Sequence, residues 1–142
     1  MKGIVFAVMA GTCVALQSTF NSRLSEKIGV WESNAVVMAV GLAVALILVW
    51  FLGDGSISNI REVNPLYLTG GILGVIIVFS AIRSVSLVGI GFFLIASFAA
   101  QIVVGFLVDS FGLFGLPKVA FSPAKLAGIA LILAGAFLYR LK

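Results

Sequence analysis

The sequence predicts an all-α integral membrane protein with five transmembrane helices. Hydrophobic residues make up 62% of its 142 positions, charged residues only 10%, and the mean hydropathy is +1.27. Soluble proteins average about 45–50% apolar and about 25% charged residues, so a soluble domain of this size could not cover so much apolar surface. The apolar residues also fall into five runs of roughly 17–25 residues, the length that a helix needs to cross a bilayer core of about 30 Å.

The first two predicted helices cover residues 3–24 and 33–52. The first is apolar as far as Leu16 and polar in its last two turns. The second is opened by Glu32 and Ser33, two residue types that are favoured at helix N-termini. Because lipid offers no hydrogen-bond partner to an exposed backbone, spans as apolar as these must be helical.

The third and fifth predicted helices begin with the same sequence device. Asn64-Pro65 starts the helix of residues 65–83, and Ser122-Pro123 starts the helix of residues 123–139. In both, a capping residue precedes a proline at the first helical position. The fourth predicted helix, residues 87–108, follows a very short turn at Ser84–Ser86. We find no domain boundary and no convincing internal repeat, so residues 1–142 are expected to form a single transmembrane domain.

Positive charges are shared almost equally between the two predicted faces of the membrane. One face holds Lys2, Arg61, Lys118 and Lys125, and the other holds Arg23, Lys27, Arg83, Arg140 and Lys142. Asymmetry of Lys and Arg is the main determinant of orientation. A tally of four against five therefore predicts insertion in both orientations and assembly of an inverted, antiparallel homodimer. The alternative is one fixed orientation set by helix order, loop folding or a partner protein.

Polar side chains inside the apolar spans indicate a substrate cavity. Gln17 and Asn21 lie four residues apart on one face of the first helix, and Ser97 and Gln101 lie on a polar stripe of the fourth. An unpaired amide that faces lipid costs on the order of several kcal/mol, so we expect these four side chains to face inward. The alternative is that they only join helices, a contribution of about 0.6 kcal/mol on average.

Asp109 and Glu32 are the candidate groups for ion coupling. Both lie close to predicted helix ends, where a cap or an interfacial position is the simpler explanation, and no acidic residue lies near the middle of a span. The chain has no His and one cysteine, Cys13, so no metal, disulfide or cofactor is expected. Without a recognisable nucleophile and base pair, an enzyme is not expected either.

Small residues in the fifth predicted helix indicate close helix packing. Gly128 and Gly135 lie one heptad apart, and Ala130 and Ala134 form a small-xxx-small pair. This helix lacks a polar side chain that is expected to be buried. We therefore expect it to be the dimer-forming or scaffold helix, while the other four helices line the cavity.

Three stretches of the chain resemble the YdcZ-like family of the drug/metabolite transporter superfamily. They are ALQSTFNSRL (15–24), AQIVVGFLVDSFGLFGLP (100–117) and SPAKLAGIALILAGAFL (122–138). The resemblance covers nearly the whole chain and implies a five-helix half-transporter in its single-gene, dual-topology form, akin to the four-helix small multidrug resistance proteins. It supplies no functional residues, and the deep carboxylate of the latter proteins is missing, with the neutral Gln17 at roughly comparable depth.

The sequence as a whole predicts a multi-pass secondary transporter of a bacterial inner membrane. It is expected to move a small polar or amphipathic solute by alternating access. A small dual-topology channel and a non-transporting scaffold subunit are the alternatives. Expected partners are membrane lipid, a second copy of the chain and an unidentified small-molecule substrate. Nucleic acid is not expected, because the cations sit at segment ends, where they meet lipid headgroups.

Overall fold

The computed structural model describes residues 2–120 and 122–140, and these residues form helices and turns without a β-strand. Five α-helices follow one another: α1 (Lys2–Ile28), α2 (Val30–Leu52), α3 (Pro65–Leu68), α4 (Gly70–Phe111) and α5 (Pro123–Arg140). Two short 3₁₀ helices, Ile57–Glu62 and Leu113–Gly115, lie before α3 and after α4. Lys142, counted in the charge tally, lies outside the described residues.

Three helical stretches of the described chain are long and apolar enough to cross a membrane. They are Lys2–Ile28, Val30–Leu52 and the 47-residue stretch Pro65–Phe111, in which α3 leads into α4. The stretch Pro123–Tyr139 of α5 is apolar but shorter. The most apolar part of α2 buries none of its residues within the chain, so its side chains face lipid or another protein surface. The chain is a multi-pass helical membrane protein.

The predicted proline starts of two helices are confirmed. The side chain of Asn64 accepts a hydrogen bond from the Leu66 N–H at 2.9 Å, and Pro65 occupies the first turn of α3. In the same way α5 begins at Pro123, directly after Ser122. A proline costs little in a first turn because its missing N–H would have no partner within the helix.

The break between the third and fourth predicted helices falls at Gly89, while the expected turn at Ser84–Ser86 is helical. Ser86 Oγ donates to the carbonyl of Ile82, one turn earlier, at 2.9 Å. Its hydroxyl is thereby satisfied within the helix. At Gly89 the backbone takes φ 79° and ψ 162°, a region that is essentially reserved for glycine.

A break of the same kind separates α1 from α2 at Gly29, where φ is 97° and ψ is 162°. Both helices reach the residue next to this glycine, so each is longer than the sequence predicts. Glu32 folds back over the junction, and a Cβ atom at Gly29 would collide with its carboxylate. A carboxylate in the first turn of α2 also interacts favourably with the helix dipole.

The same pattern of burial precedes both glycine breaks. Three buried residues precede each glycine by 11, 8 and 7 positions: Ser18, Asn21 and Ser22 in α1, and Val78, Ala81 and Ile82 in α4. The positions correspond, but the first trio is polar and the second is apolar. The buried trios therefore do not match in residue type, although an arginine precedes each glycine by six positions, Arg23 and Arg83.

Contacts group the chain into two units, Met1–Leu87 and Val88–Lys142. In the first unit, the ring of Trp31 stacks on that of Phe79, and the side chain of Asn34 bonds to the backbone of Val75. Later positions in α2 therefore contact earlier positions in α4. These two segments are antiparallel.

In the second unit, α5 packs antiparallel to the part of α4 that follows Gly89. The hydroxyl of Tyr139, near the end of α5, lies against Gly91. Lys125, near the start of α5, lines a pocket together with Asp109, near the end of α4. The chain after α4 folds back onto it, since the Val119 N–H donates to the Asp109 carbonyl at 3.0 Å.

Candidate functional site

Polar side chains form most of the buried core of the first unit. The buried polar residues are Ser18, Asn21, Ser22, Ser33 and Asn34, and the buried apolar ones are Val78, Ala81 and Ile82. A polar group that faces hydrocarbon finds no hydrogen-bond partner. Burial between α1, α2 and α4 keeps these groups away from lipid and places them side by side with apolar ones.

Two serine hydroxyls of this core, those of Ser22 and Ser33, have hydrogen-bond partners. Ser33 Oγ donates to the carbonyl of Gly29 at 2.7 Å, and the hydroxyls of Ser22 and Ser86 lie 3.3 Å apart. The first bond lies within the first turn of α2, and the second joins α1 to α4. The contact between Ser22 and Ser86 is of the kind that holds membrane helices together, whereas the Ser33 bond satisfies its hydroxyl within its own helix end.

Asn34 differs from the serines because only half of its carboxamide has a partner. Its Nδ2 donates to the carbonyl of Val75 at 2.9 Å. Its Oδ1 is buried and has no partner among the described residues. The side chain is only 2% exposed, and a buried acceptor without a donor costs about 1–3 kcal/mol. Asn34 thus joins α2 to α4 and retains an unused acceptor.

Asn34 lines a pocket of about 270 Å³ together with Trp31, Ala35, Met38 and Val75. The other side chains of this lining are apolar. Beside it, the ring of Trp31 stacks on that of Phe79, with centroids 4.4 Å apart and planes inclined by 17°. A mainly apolar pocket with a small number of placed polar groups is typical of a small-molecule site.

The two predicted cavity residues of α1 differ in burial. Asn21 is 5% exposed, and its carboxamide forms no hydrogen bond within the described part of the chain. Gln17 is exposed on the single chain. An inward-facing role for Gln17 would need a second copy to cover it, so a shared cavity remains a prediction.

The two predicted cavity residues of α4 lie in the second unit. Ser97 is half-buried, and its Oγ donates to the carbonyl of Leu94 at 3.1 Å. Its hydroxyl is therefore satisfied within its own helix. Gln101 is exposed on the single chain, and its role in a cavity stays a prediction.

A second pocket, of about 420 Å³, lies between α5 and the end of α4. Its apolar lining includes Ile102, Phe106, Ile129 and Ile132, and its polar lining consists of Asp109, Ser110 and Lys125. Asp109 and Lys125 form no ion pair with each other or with other described residues. Both are exposed, as charged groups at the membrane surface are.

The two candidate coupling residues both lie on the surface of the described chain. Glu32 is exposed and lies against Gly29, and Asp109 is exposed at the rim of the second pocket. Neither is buried within a span, so their role in ion coupling stays a prediction. Among the described residues, no group of His, Cys, Asp or Glu is arranged to hold a metal ion.

The small residues of α5 do not all have the same surroundings. A Cβ atom at Gly128 or at Gly135 would meet nothing within 4 Å, but only Gly128 lines the second pocket. Ala130 and Ala134 are exposed. The chain itself therefore leaves α5 uncovered at Gly135, Ala130 and Ala134. A dimer contact requires a free surface of this kind.

Sequence reasoning missed Asn34 and the stacked Trp31–Phe79 pair. The sequence prediction starts the second helix at Ser33 and assigns no role to Asn34. In the structure α2 begins at Val30, which puts Asn34 in its second turn. The signal that was present is an asparagine followed directly by a long apolar run.

The fold and the site define a class: helical membrane proteins that bury polar groups among apolar spans, as membrane transporters do. A family model described as "Putative inner membrane exporter, YdcZ" matches residues 3–138. The chain belongs to this family, which confirms the resemblance carried by its three stretches. No curated protein and no solved structure matches the chain.

Proposed function

We propose that the protein is a secondary transporter that moves a small polar or amphipathic solute across the inner membrane by alternating access. The observation that carries this proposal is the unpartnered carboxamide oxygen of Asn34, buried between apolar helices. Polar groups inside membrane spans are costly and commonly mark solute pathways. Membership of an exporter family also supports a transport function.

Five spans follow if Gly89 divides the longest helical stretch. A continuous helix of 47 residues would be about 70 Å long, more than twice the bilayer core of about 30 Å. The break at Gly89 gives two lengths that each suit one crossing. Together with α1, α2 and α5 they make five, an odd number that puts the two termini on opposite sides of the membrane.

An antiparallel homodimer would supply the inverted repeat that many secondary transporters use to build a midplane site. The tally of four against five positive charges supports insertion in both orientations. The uncovered faces of α2 and of α5 at Gly135 supply apolar surface for a partner. A second copy would also bring a second Gln17 and a second Gln101 to the assembly.

Flux into liposomes that contain the purified protein tests the proposal. Solutes are first screened by thermal shift, and uptake of each hit is then measured with and without an imposed proton or sodium gradient. We expect gradient-driven accumulation that saturates with solute concentration. Rapid flux that does not saturate would instead indicate a channel, and a lack of flux for every hit would indicate a scaffold subunit.

A further inference from the structure

The pocket beside Asn34 lies next to an unused hydrogen-bond acceptor. The Nδ2 of Asn34 is already committed to the carbonyl of Val75. The Oδ1 is buried without a partner among the described residues. Trp31, Ala35 and Met38 supply apolar walls. A molecule that complements this pocket has an apolar body and brings its own N–H or O–H donor.

The charges around the pocket favour an uncharged molecule. A desolvated ammonium group needs a charged partner to offset its loss of water, and no acidic residue lines this pocket. Glu32, the acidic residue of α2, lies against Gly29. One face of the Trp31 ring, the surface that would attract a cation, is covered by Phe79.

Access to the acceptor requires a neighbouring side chain to move. Oδ1 is closed to a water-sized contact in this structure. Trp31 precedes Asn34 by three residues and so lies on the same face of α2. It lines the pocket and is 63% exposed. Entry of a solute would therefore change the environment of the Trp31 ring.

We propose that this pocket binds a small uncharged solute that carries an N–H or O–H donor on an apolar body, and that Asn34 Oδ1 accepts the donated hydrogen bond. Primary carboxamides are the representative class. The volume of about 270 Å³ is at the small end of ligand pockets and limits the solute to the size of a small metabolite. The assignment of this solute as cargo rests on the proposed function, whereas its binding does not.

The fluorescence of Trp31 tests the proposal directly. The chain has two tryptophans, Trp31 and Trp50, so Trp50→Phe leaves Trp31 as the only reporter. The probes are isovaleramide, its donor-free analogue N,N-dimethylisovaleramide, and isopentylammonium, a charged donor of similar shape. We expect a saturable change with isovaleramide and binding about tenfold weaker with each of the others, because the dimethyl analogue lacks the donated hydrogen bond and the ammonium loses its hydration without a charged partner. Equal or tighter binding of either analogue would overturn the proposal.

Two variants and a matched control locate the binding. Ala35→Leu fills the pocket and keeps the bond between Asn34 and Val75, whereas Asn34→Leu removes the acceptor. Ala43→Leu is the same change as the first, two turns further along α2 and outside the pocket lining. We expect both pocket variants to lose the isovaleramide response about tenfold and Ala43→Leu to keep it. If Asn34→Leu does not fold, Ala35→Leu still decides, and an unchanged response in Ala35→Leu overturns the site.

Flux and binding together separate this site from the proposed function. Isovaleramide binding that Ala35→Leu abolishes would uphold the site even if the liposomes show no flux of any solute, and the transport proposal alone would fail. Saturable flux of another solute without isovaleramide binding would overturn the site and leave the transport proposal standing.

Discussion

Gly29 and Gly89, sixty positions apart, adopt nearly the same backbone conformation, with φ 97° and ψ 162° at the first and φ 79° and ψ 162° at the second. Their surroundings differ. A Cβ atom would collide with the carboxylate of Glu32 at Gly29, but would meet nothing within 4 Å at Gly89. Substitutions at the two glycines can therefore distinguish the effect of backbone strain from the effect of local crowding.

Alanine at either glycine is expected to destabilise the protein. The strained backbone conformation costs about 1–3 kcal/mol for a residue with a side chain, and Gly29→Ala adds displacement of Glu32. Gly41→Ala is the control: this glycine lies inside α2 with open space around it, so alanine should be neutral or stabilise by up to about 1 kcal/mol. Thermal unfolding in detergent gives the comparison. Stability equal to that of the control in both break variants would contradict the assigned conformation.

Leucine at Gln17 or Gln101 is expected to weaken transport about tenfold and to leave assembly intact. The reason is that each amide, exposed on the single chain, would line a water-accessible cavity once a second copy covers it. Thr12→Leu is the control on α1, because the Thr12 hydroxyl is already bonded to the carbonyl of Val8. Liposome flux and crosslinking are measured on the same preparations. Normal transport by both glutamine variants would make these amides packing groups.

Isoleucine at Gly135 is expected to dissociate or distort the dimer while membrane insertion is retained. Nothing within the chain occupies the space beside this glycine, and a bulky side chain there would hold a partner helix away. Gly128→Ile is less clean, since it would also fill the second pocket. Ala124→Ile, in the first turn of α5, is the matched control. Crosslinking of membranes reports the outcome, and an unchanged dimer would place the interface on another helix.

The helices could be predicted from the sequence because their signals are local. Apolar runs of membrane length and the Asn64-Pro65 pair both act within a few residues, and the structure follows them. The prediction of a turn at Ser84–Ser86 was wrong, and the reason is physical. Serine favours turns in water, but inside an apolar helix its hydroxyl bonds back to a carbonyl, and Gly89 makes the break.

The candidate site was harder to predict because it depends on which helices touch. The burial of Asn21 agrees with the expectation that it faces away from lipid. Nothing in the local sequence distinguishes Asn34 from the other polar residues. Its hydrogen-bond partner, the carbonyl of Val75, lies 41 positions away along the chain. The stacking of Trp31 on Phe79 is likewise invisible until α2 and α4 are placed together.

The orientation of the chain in the membrane tests the central claim, an antiparallel homodimer that transports. A reporter fused to the C-terminus, active in only one compartment, is paired with a second reporter active in the other. We expect both to be active for the wild-type chain. Removal of Arg140 and Lys142 with two lysines added beside Lys118 should fix one orientation, and the reverse changes should fix the other. Each variant alone should lose transport, and co-expression should restore it. A single location of the wild-type C-terminus, or full transport by one variant alone, would contradict the account.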